Sequence, residues 1–487
     1  MTAGKIKSIR RLVFAKTIFP ALLFFIMIPG LGFLRAQELT FDSIPSDSVT
    51  IDHIIIIGNR VTREKIIRRE LDIHDGLTLD RKTLDARLKR NQDKIINTSL
   101  FQSVNISPID LGDQKADIII RVVERWYLFP YPIFQLADRN FNDWWINHHH
   151  DIRRIEWGLH VTQYNVRGMN ETLKLTGQLG YTKRFTLSYI FPYINKKQKT
   201  GLNFYFDYGL NKNTYFRTDS SKLIFFNSSH WLKEYFLGGV AFTLRKSFYT
   251  YHTFGAGYAY NKINDTISEL NPGYFNNGKN RQAFFNLYYY FLYDNRDVAA
   301  YPLHGTYFLA EITKNGIGLP HEVNLLQIGA LYDHYLELPL KFYLSIGIGG
   351  RLSFPRRQPY NMFNSFGYGQ FTLRGYELYV IEGQHIFLNQ WTIRRRLFKV
   401  ETDFEDYFAS KQVKHFKLDV YLKGYADLGY VKNYENYPSN SLFTNQLLYG
   451  YGIGIDLFTI YDLLFRWEYS FNKIGEHGLV LGLRKNF

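Results

Sequence analysis

The chain is 487 residues long, enough for one large unit and a smaller one, and its 46% hydrophobic content excludes a disordered chain. Aromatic residues reach 18%, with 38 Tyr and 41 Phe, while charged residues hold at 21% and mean hydropathy is -0.25; a helical membrane protein is not built this way, and the lack of Cys excludes disulfide frameworks, thiolate metal sites and Cys nucleophiles. Of the formal charge of +15, Lys5, Lys7, Arg10, Arg11, Lys16 and Arg35 stand in the first 36 residues with no acid among them, and the rest is spread thinly, which argues against a nucleic-acid partner.

Residues 1–36 read as a secretory signal, with a basic start, an apolar core from Ile18 to Pro29 and Leu34-Arg35-Ala36 before Gln37. That core is shorter than the roughly 20 residues of a membrane helix. Residues 37–48, with Asp42, Ser43, Pro45, Ser46, Asp47 and Ser48, read as a linker.

A compact α+β domain is predicted over 49–125. Ile54 to Ile57 form a strand closed by Gly58-Asn59, Thr62 caps a helix through Leu71, and Asp80 caps a second helix with Leu84, Leu88 and Ile95 on one face. Strands at Val104 to Pro108 and Asp117 to Val123 complete it. Residues 126–153 read as a linker. Within it, consecutive residues of His148-His149-His150-Asp151 point to opposite faces of an extended chain, so no metal site is expected.

From Arg154 to the end, segments of period-two alternation are separated by Asn, Asp, Gly and Pro clusters. Leu173, Leu175, Leu179 and Tyr181 oppose Thr172, Lys174, Thr176 and Gln178; Leu463, Phe465, Trp467 and Phe471 oppose Arg466, Glu468 and Ser470. Such strands show lipid one apolar face and keep the other wet, which reconciles low mean hydropathy with a membrane location. About fifteen strands are clear and a doubtful one lies at Thr214 to Phe226; closure with both ends on one side needs an even number, so the prediction is a mainly β chain whose residues 154–487 form a 16-stranded antiparallel transmembrane β-barrel behind one small α+β domain.

This count places the tight connections near Thr182, Lys212, Ser247, Leu338 and Thr459 on the periplasmic side and the long segments 265–280, 354–385 and 432–446 outside. It also makes the long, charged Lys399 to Lys414 connection periplasmic, without a physical reason for its length. The last strand alternates Leu479, Leu481, Leu483 and Phe487 against Val480, Gly482, Arg484 and Asn486. A C-terminal strand ending on Phe resembles the signal by which outer-membrane barrels are recognised for assembly.

Three further segments carry a family resemblance. Leu373-Arg374-Gly375-Tyr376 lies in the longest outer segment, Gly424-Tyr425-Ala426-Asp427-Leu428-Gly429 lies on a later strand, and Asp294-Asn295-Arg296-Asp297 precedes Pro302 and Gly305. With Phe416, Leu418, Val420 and Leu422 toward lipid, parity turns Lys417, Asp419, Lys423 and Asp427 inward. Together these segments are similar to the BamA/TamA family of outer-membrane assembly and translocation barrels, and residues 49–125, with Leu100-Phe101 and Val104, resemble one POTRA domain.

The resemblance implies that the loop tip folds into the barrel and that Asp427 pairs with Arg374. It implies an outer-membrane protein with its N-terminal domain in the periplasm that assists insertion or assembly of proteins into that membrane, or their translocation across it; a secretion pore or passive channel for one substrate is the alternative. The implied partners are outer-membrane lipid and lipopolysaccharide, unfolded outer-membrane or exported clients, and periplasmic or lipoprotein accessory subunits. Cofactors and catalytic residues are not expected, and no Gly-x-Ser-x-Gly elbow is present. Two departures stand out: one POTRA-like domain fits where assembly-type members carry several, and Thr392 stands where the family often has an acid, which predicts a thinner lumenal network.

Overall fold

The computed structural model describes residues 48–136, 149–318, 323–363, 365–367, 371–403, 415–434 and 442–485. The signal expected over 1–36, the linker up to residue 47, His148, segment 404–414 and Phe487 lie outside the described residues.

The N-terminal domain runs β1 (Ser48–Ile57), α1 (Glu64–Arg68), β2 (Thr78–Asp80), α2 (Arg81–Ile96), β3 (Phe101–Gly112) and β4 (Lys115–Glu124). Its sheet has the order β2-β1-β4-β3, with β1 parallel and β3 antiparallel to β4. Alternation in β4 sends Ala116, Ile118, Ile120 and Val122 into the core, where Leu84, Leu88 and Ile95 of α2 meet them. As expected, the Asp80 side chain starts α2 by accepting a hydrogen bond from the Lys82 amide at 2.9 Å. Thr62 does not cap a helix: α1 starts after Arg63 with no side-chain cap. The Thr62 amide instead donates to Glu124 at 2.7 Å and its hydroxyl pairs with the Tyr127 hydroxyl at 3.0 Å, so tertiary partners outcompete the cap.

The remainder builds one 16-stranded antiparallel sheet. Its first strands are β5 (Leu128–Leu136), β6 (Ile155–Tyr164), β7 (Thr172–Gly180), β8 (Thr182–Phe191) and β9 (Thr200–Asn211). A separate hairpin follows, β10 (Asn213–Asp219) and β11 (Lys222–Asn227). The sheet resumes with β12 (Lys233–Arg245) and β13 (Thr250–Ile263), then, after the short helix α3 (Asp265–Leu270), β14 (Arg281–Asp294), β15 (Gly305–Ile317), β16 (Leu325–Leu338) and β17 (Phe342–Phe354). It ends with β18 (His385–Asp403), β19 (His415–Lys432), β20 (Leu447–Thr459), β21 (Leu463–Asn472) and β22 (His477–Lys485). In β20, Leu447, Tyr449, Tyr451, Ile453 and Ile455 are exposed while Leu448, Gly450, Gly452, Gly454 and Asp456 are buried, the two-faced wall that the alternation predicts.

The count of sixteen holds, but two of its members change. Residues 128–136, read as linker, are strand β5, so the barrel begins well before Arg154. Residues 214–226, read as one strand, are the β10–β11 hairpin and add none to the sheet. The two changes cancel from β12 onward, so the Ser247, Leu338 and Thr459 connections keep the side expected of them. The Thr182 and Lys212 connections move to the opposite end, that of segment 264–280. The charged segment after Lys399 begins as strand, because β18 continues to Asp403, paired with His415. Leu483 pairs with Phe465 in the last strand.

Candidate functional site

The residues singled out at the loop tip converge inside the wall. β19 carries Asp427 on its inward face, where the side chain is fully buried. The Arg374 backbone N–H and Nε donate to Asp427 Oδ2 at 3.1 and 2.9 Å, and Nη2 pairs with Oδ1. Nη1 donates to Thr392 Oγ1 at 2.9 Å, Nη2 reaches the Trp391 carbonyl at 3.3 Å, and the guanidinium lies 4.1 Å over the Tyr425 ring. Gln390 joins the network, its amide donating to Asp427 Oδ2 at 2.9 Å and to the Thr372 carbonyl at 3.1 Å. Thr392 therefore keeps a place in the network as a neutral acceptor. A planar guanidinium held by paired bonds to one carboxylate is fixed in orientation as well as position.

The flanking residues hold the tip against β19, β20 and β21. Leu373 packs in a cluster with Phe366, Tyr376, Tyr379, Val431 and Phe443. Gly375 adopts φ +90°, and its carbonyl accepts from Asn472 Nδ2 at 3.0 Å. A side chain there would be strained by that φ and would meet the Phe471 carbonyl at 2.8 Å. Tyr376 donates to the Tyr449 carbonyl at 3.2 Å and accepts from the Lys473 amide at 3.2 Å. Gly450, which the motif search did not single out, lets the Arg374 carbonyl approach: a Cβ on it would lie 1.9 Å from that oxygen.

The same loop locks to other segments at its end of the barrel. Tyr360 pairs with Thr218 of the β10–β11 hairpin at 2.9 Å, and the Val380 amide donates to the Ser221 carbonyl at 2.9 Å. The Leu442 amide donates to the Ser221 hydroxyl at 3.1 Å.

The Asp294-Asn295-Arg296-Asp297 segment lies at the opposite end. Arg296 is clamped by Asp294 through bonds of 2.7 and 2.6 Å, and Asp297 accepts the Leu303 amide at 3.0 Å. Gly305, at φ +104°, passes the Asn295 carbonyl where a Cβ would stand 2.5 Å away. This connection is more than a turn: its middle folds into the barrel mouth. The Tyr301 hydroxyl donates to Asp456 at 3.0 Å, its ring stacks on Phe458 and meets Tyr421, and Arg394 donates to the Pro302 carbonyl at 3.1 Å. Asp456 also binds buried Lys423 at 2.5 Å, which bonds Glu468 at 2.7 Å.

The N-terminal domain rests on this end through several connections. Glu70 holds Arg245 by two bonds of 2.6 Å, Arg125 pairs with Asp462 at 2.9 Å, and the Asn97 amide donates to the Arg296 and Asp297 carbonyls at 3.2 and 2.9 Å. Asn165 donates to the Thr62 hydroxyl at 2.9 Å, and Arg69 stacks 3.7 Å over the Tyr193 ring. None of these interdomain partners is visible in a linear motif, since each pair is separated by 100 residues or more of sequence.

Residues 165–459 match the Omp85 superfamily domain, and residues 49–125 match the POTRA family, the surface antigen variable number repeat. Among solved structures, CdiB from Escherichia coli is similar over 90% of this chain and 75% of its own, at 10% identity and a TM-score of 0.51. BamA from Haemophilus ducreyi lacking POTRA domains 1–3 is similar over 89% and 83%, at 16% identity and a looser TM-score of 0.49. None of the curated proteins compared with the chain matches it in sequence. The superfamily match covers more than half of the length, and the chain belongs to the Omp85 superfamily of outer-membrane barrels that assemble proteins into that membrane or move them across it.

Proposed function

We propose that this chain sits in the outer membrane with its POTRA domain in the periplasm, delivered there by residues 1–36, and assists unfolded barrel clients into the membrane. The observation that carries the reading is the buried Arg374–Asp427 clasp. It ties the long outer loop to β19 through β21, next to the strand that ends the sheet. A wall braced on one side of its terminal strand can yield at that strand without collapsing, and a client hairpin pairing there satisfies its backbone before meeting hydrocarbon. Edge strand β3 of the POTRA domain offers main-chain bonds to an extended client without demanding a sequence. Lipopolysaccharide outside and accessory lipoproteins in the periplasm complete the proposed set of partners.

Interlocked segments at one end and the Tyr301 turn at the other favour assembly over a passive channel. Liposomes carrying the purified chain are expected to fold a urea-denatured eight-stranded barrel client at least about tenfold faster than empty liposomes, read as heat-modifiable mobility. Equal rates, together with large ion conductance on deleting residues 356–384, would support the secretion-pore reading instead.

A further inference from the structure

β18 and β19 are 19 and 18 residues long, against 13 in each neighbour, β17 and β20. A tilted strand crosses the hydrocarbon in about 9–11 residues. β17 stays in register with β18 only as far as Phe342 opposite Arg395, which completes a crossing from His385. Beyond that row β18 runs on without β17, paired with β19 to the Asp403–His415 pair; β20 flanks β19 only as far as Leu418 opposite Thr459, so the last rows are a two-stranded ribbon, and a register shift between Arg396 and Phe398 bends β18.

This extension keeps the two-faced character of the wall after β17 has ended. Lys399 and Glu401 pair with each other on one face, opposite Asp419 and Lys417, which pair at 3.4 Å. Phe398 and Val400 lie on the other face, which continues the lipid-facing column of Trp391 and Ile393; both are exposed, as is Leu397 at the shift. Beside them, at the tip of the β16–β17 connection, Leu340 is 81% exposed and is followed by exposed Lys341. Arg395, also exposed, lies 5.3 Å over the Phe342 ring at the row where β17 stops.

Apolar side chains next to cations at the exit of a membrane wall fit the boundary between acyl chains and anionic headgroups. We infer that the strand extension of residues 396–403 and 415–417, with Leu340 and Lys341, is an interfacial anchor for anionic phospholipid in the periplasmic leaflet. Its apolar face is continuous with a surface that already meets lipid, and Arg395 and Lys341 supply the complementary charge. The inference goes beyond the assembly reading and holds equally for a secretion barrel, so the two fail separately.

The natural chain has no Cys, so single-cysteine nitroxide labels report one position each. Phe398→Cys, Val400→Cys and Lys399→Cys proteins would be placed in nanodiscs of phosphatidylcholine alone or with phosphatidylglycerol, and their accessibility to oxygen and to an aqueous nickel chelate compared. Labels at 398 and 400 are expected to favour oxygen several-fold over the label at 399, the contrast growing with phosphatidylglycerol and losing that growth in the Arg395→Gln, Lys341→Gln background. Three labels equally open to nickel in both lipids would overturn the inference. So would labels at 398 and 400 shielded from both reagents whatever the lipid, since that marks a protein cover.

Discussion

The backbone N–H and the guanidinium of Arg374 converge on one carboxylate, that of Asp427, whose side chain is 0% exposed. The loop tip is thus fixed at both main chain and side chain. Breaking a buried ion pair by removing one partner typically costs about 3–5 kcal/mol, because the other charge is left uncompensated. Asp427→Asn is expected to lower stability to denaturant by roughly 3 kcal/mol and to open residues 371–380 to protease. A double variant Arg374→Met, Asp427→Asn should lose less than the two single losses added, which denaturant titration of all four proteins would read.

Gly450 sets the distance between the loop and β20. Ala there would put Cβ 1.9 Å from the Arg374 carbonyl, a backbone atom without freedom to swing away. Overpacking of this kind costs about 1–3 kcal/mol. Gly450→Ala is expected to raise hydrogen exchange at the Arg374 and Tyr376 amides while leaving the POTRA domain unchanged, and unchanged exchange at both amides would show that the loop does not depend on this contact.

Glu70 joins the POTRA domain to the barrel through Arg245, with side chains 3% and 11% exposed. Arg69 lies close to the same carboxylate, at 3.4 Å, so Glu70→Gln leaves two cations facing each other in a dry site. The docked arrangement should weaken by roughly 3 kcal/mol, seen as faster exchange in the 245–250 connection and in α1 together. Faster exchange in α1 alone would mean that Glu70 matters only inside its own domain.

His304 gives the barrel mouth a pH response. Burial would lower its pKa, but hydrogen bonds to Glu337 and Asp297, at 3.1 and 3.3 Å, outweigh that and raise it above the ordinary 6.5. The stabilisation is therefore full below about pH 6.5 and is lost as pH rises through the raised folded value. With the side chain 49% exposed, it is worth under about 1 kcal/mol. Amides of residues 297–304 should be better protected at pH 6 than at pH 8, and His304→Gln should remove the difference.

Much of this architecture was legible in the sequence, and the failures have physical causes. Asp427 could be turned inward because parity is set by the strand period alone, whereas the Arg374 and Asp294 segments were legible through their resemblance to the family's motifs. β5 was misread because Pro130 and Pro132 each lack an N–H. Two residues apart, their nitrogens fall on one side of the strand, which a strand paired on one side among the described residues tolerates. The β10–β11 hairpin was misread as one strand because its turn is made by Ser220 and Ser221, both at positive φ, where Gly or Asn would have announced it. Tyr301, Asp456 and Glu70 carried no signal at all, because their partners meet only once the sheet has curled.

Assembly of many outer-membrane proteins by this barrel is best tested by depleting the chain from its host and quantifying the outer-membrane proteome. Many β-barrel proteins are expected to fall together while lipoproteins hold; loss of one exported protein with all barrels unchanged would rule out a general assembly role.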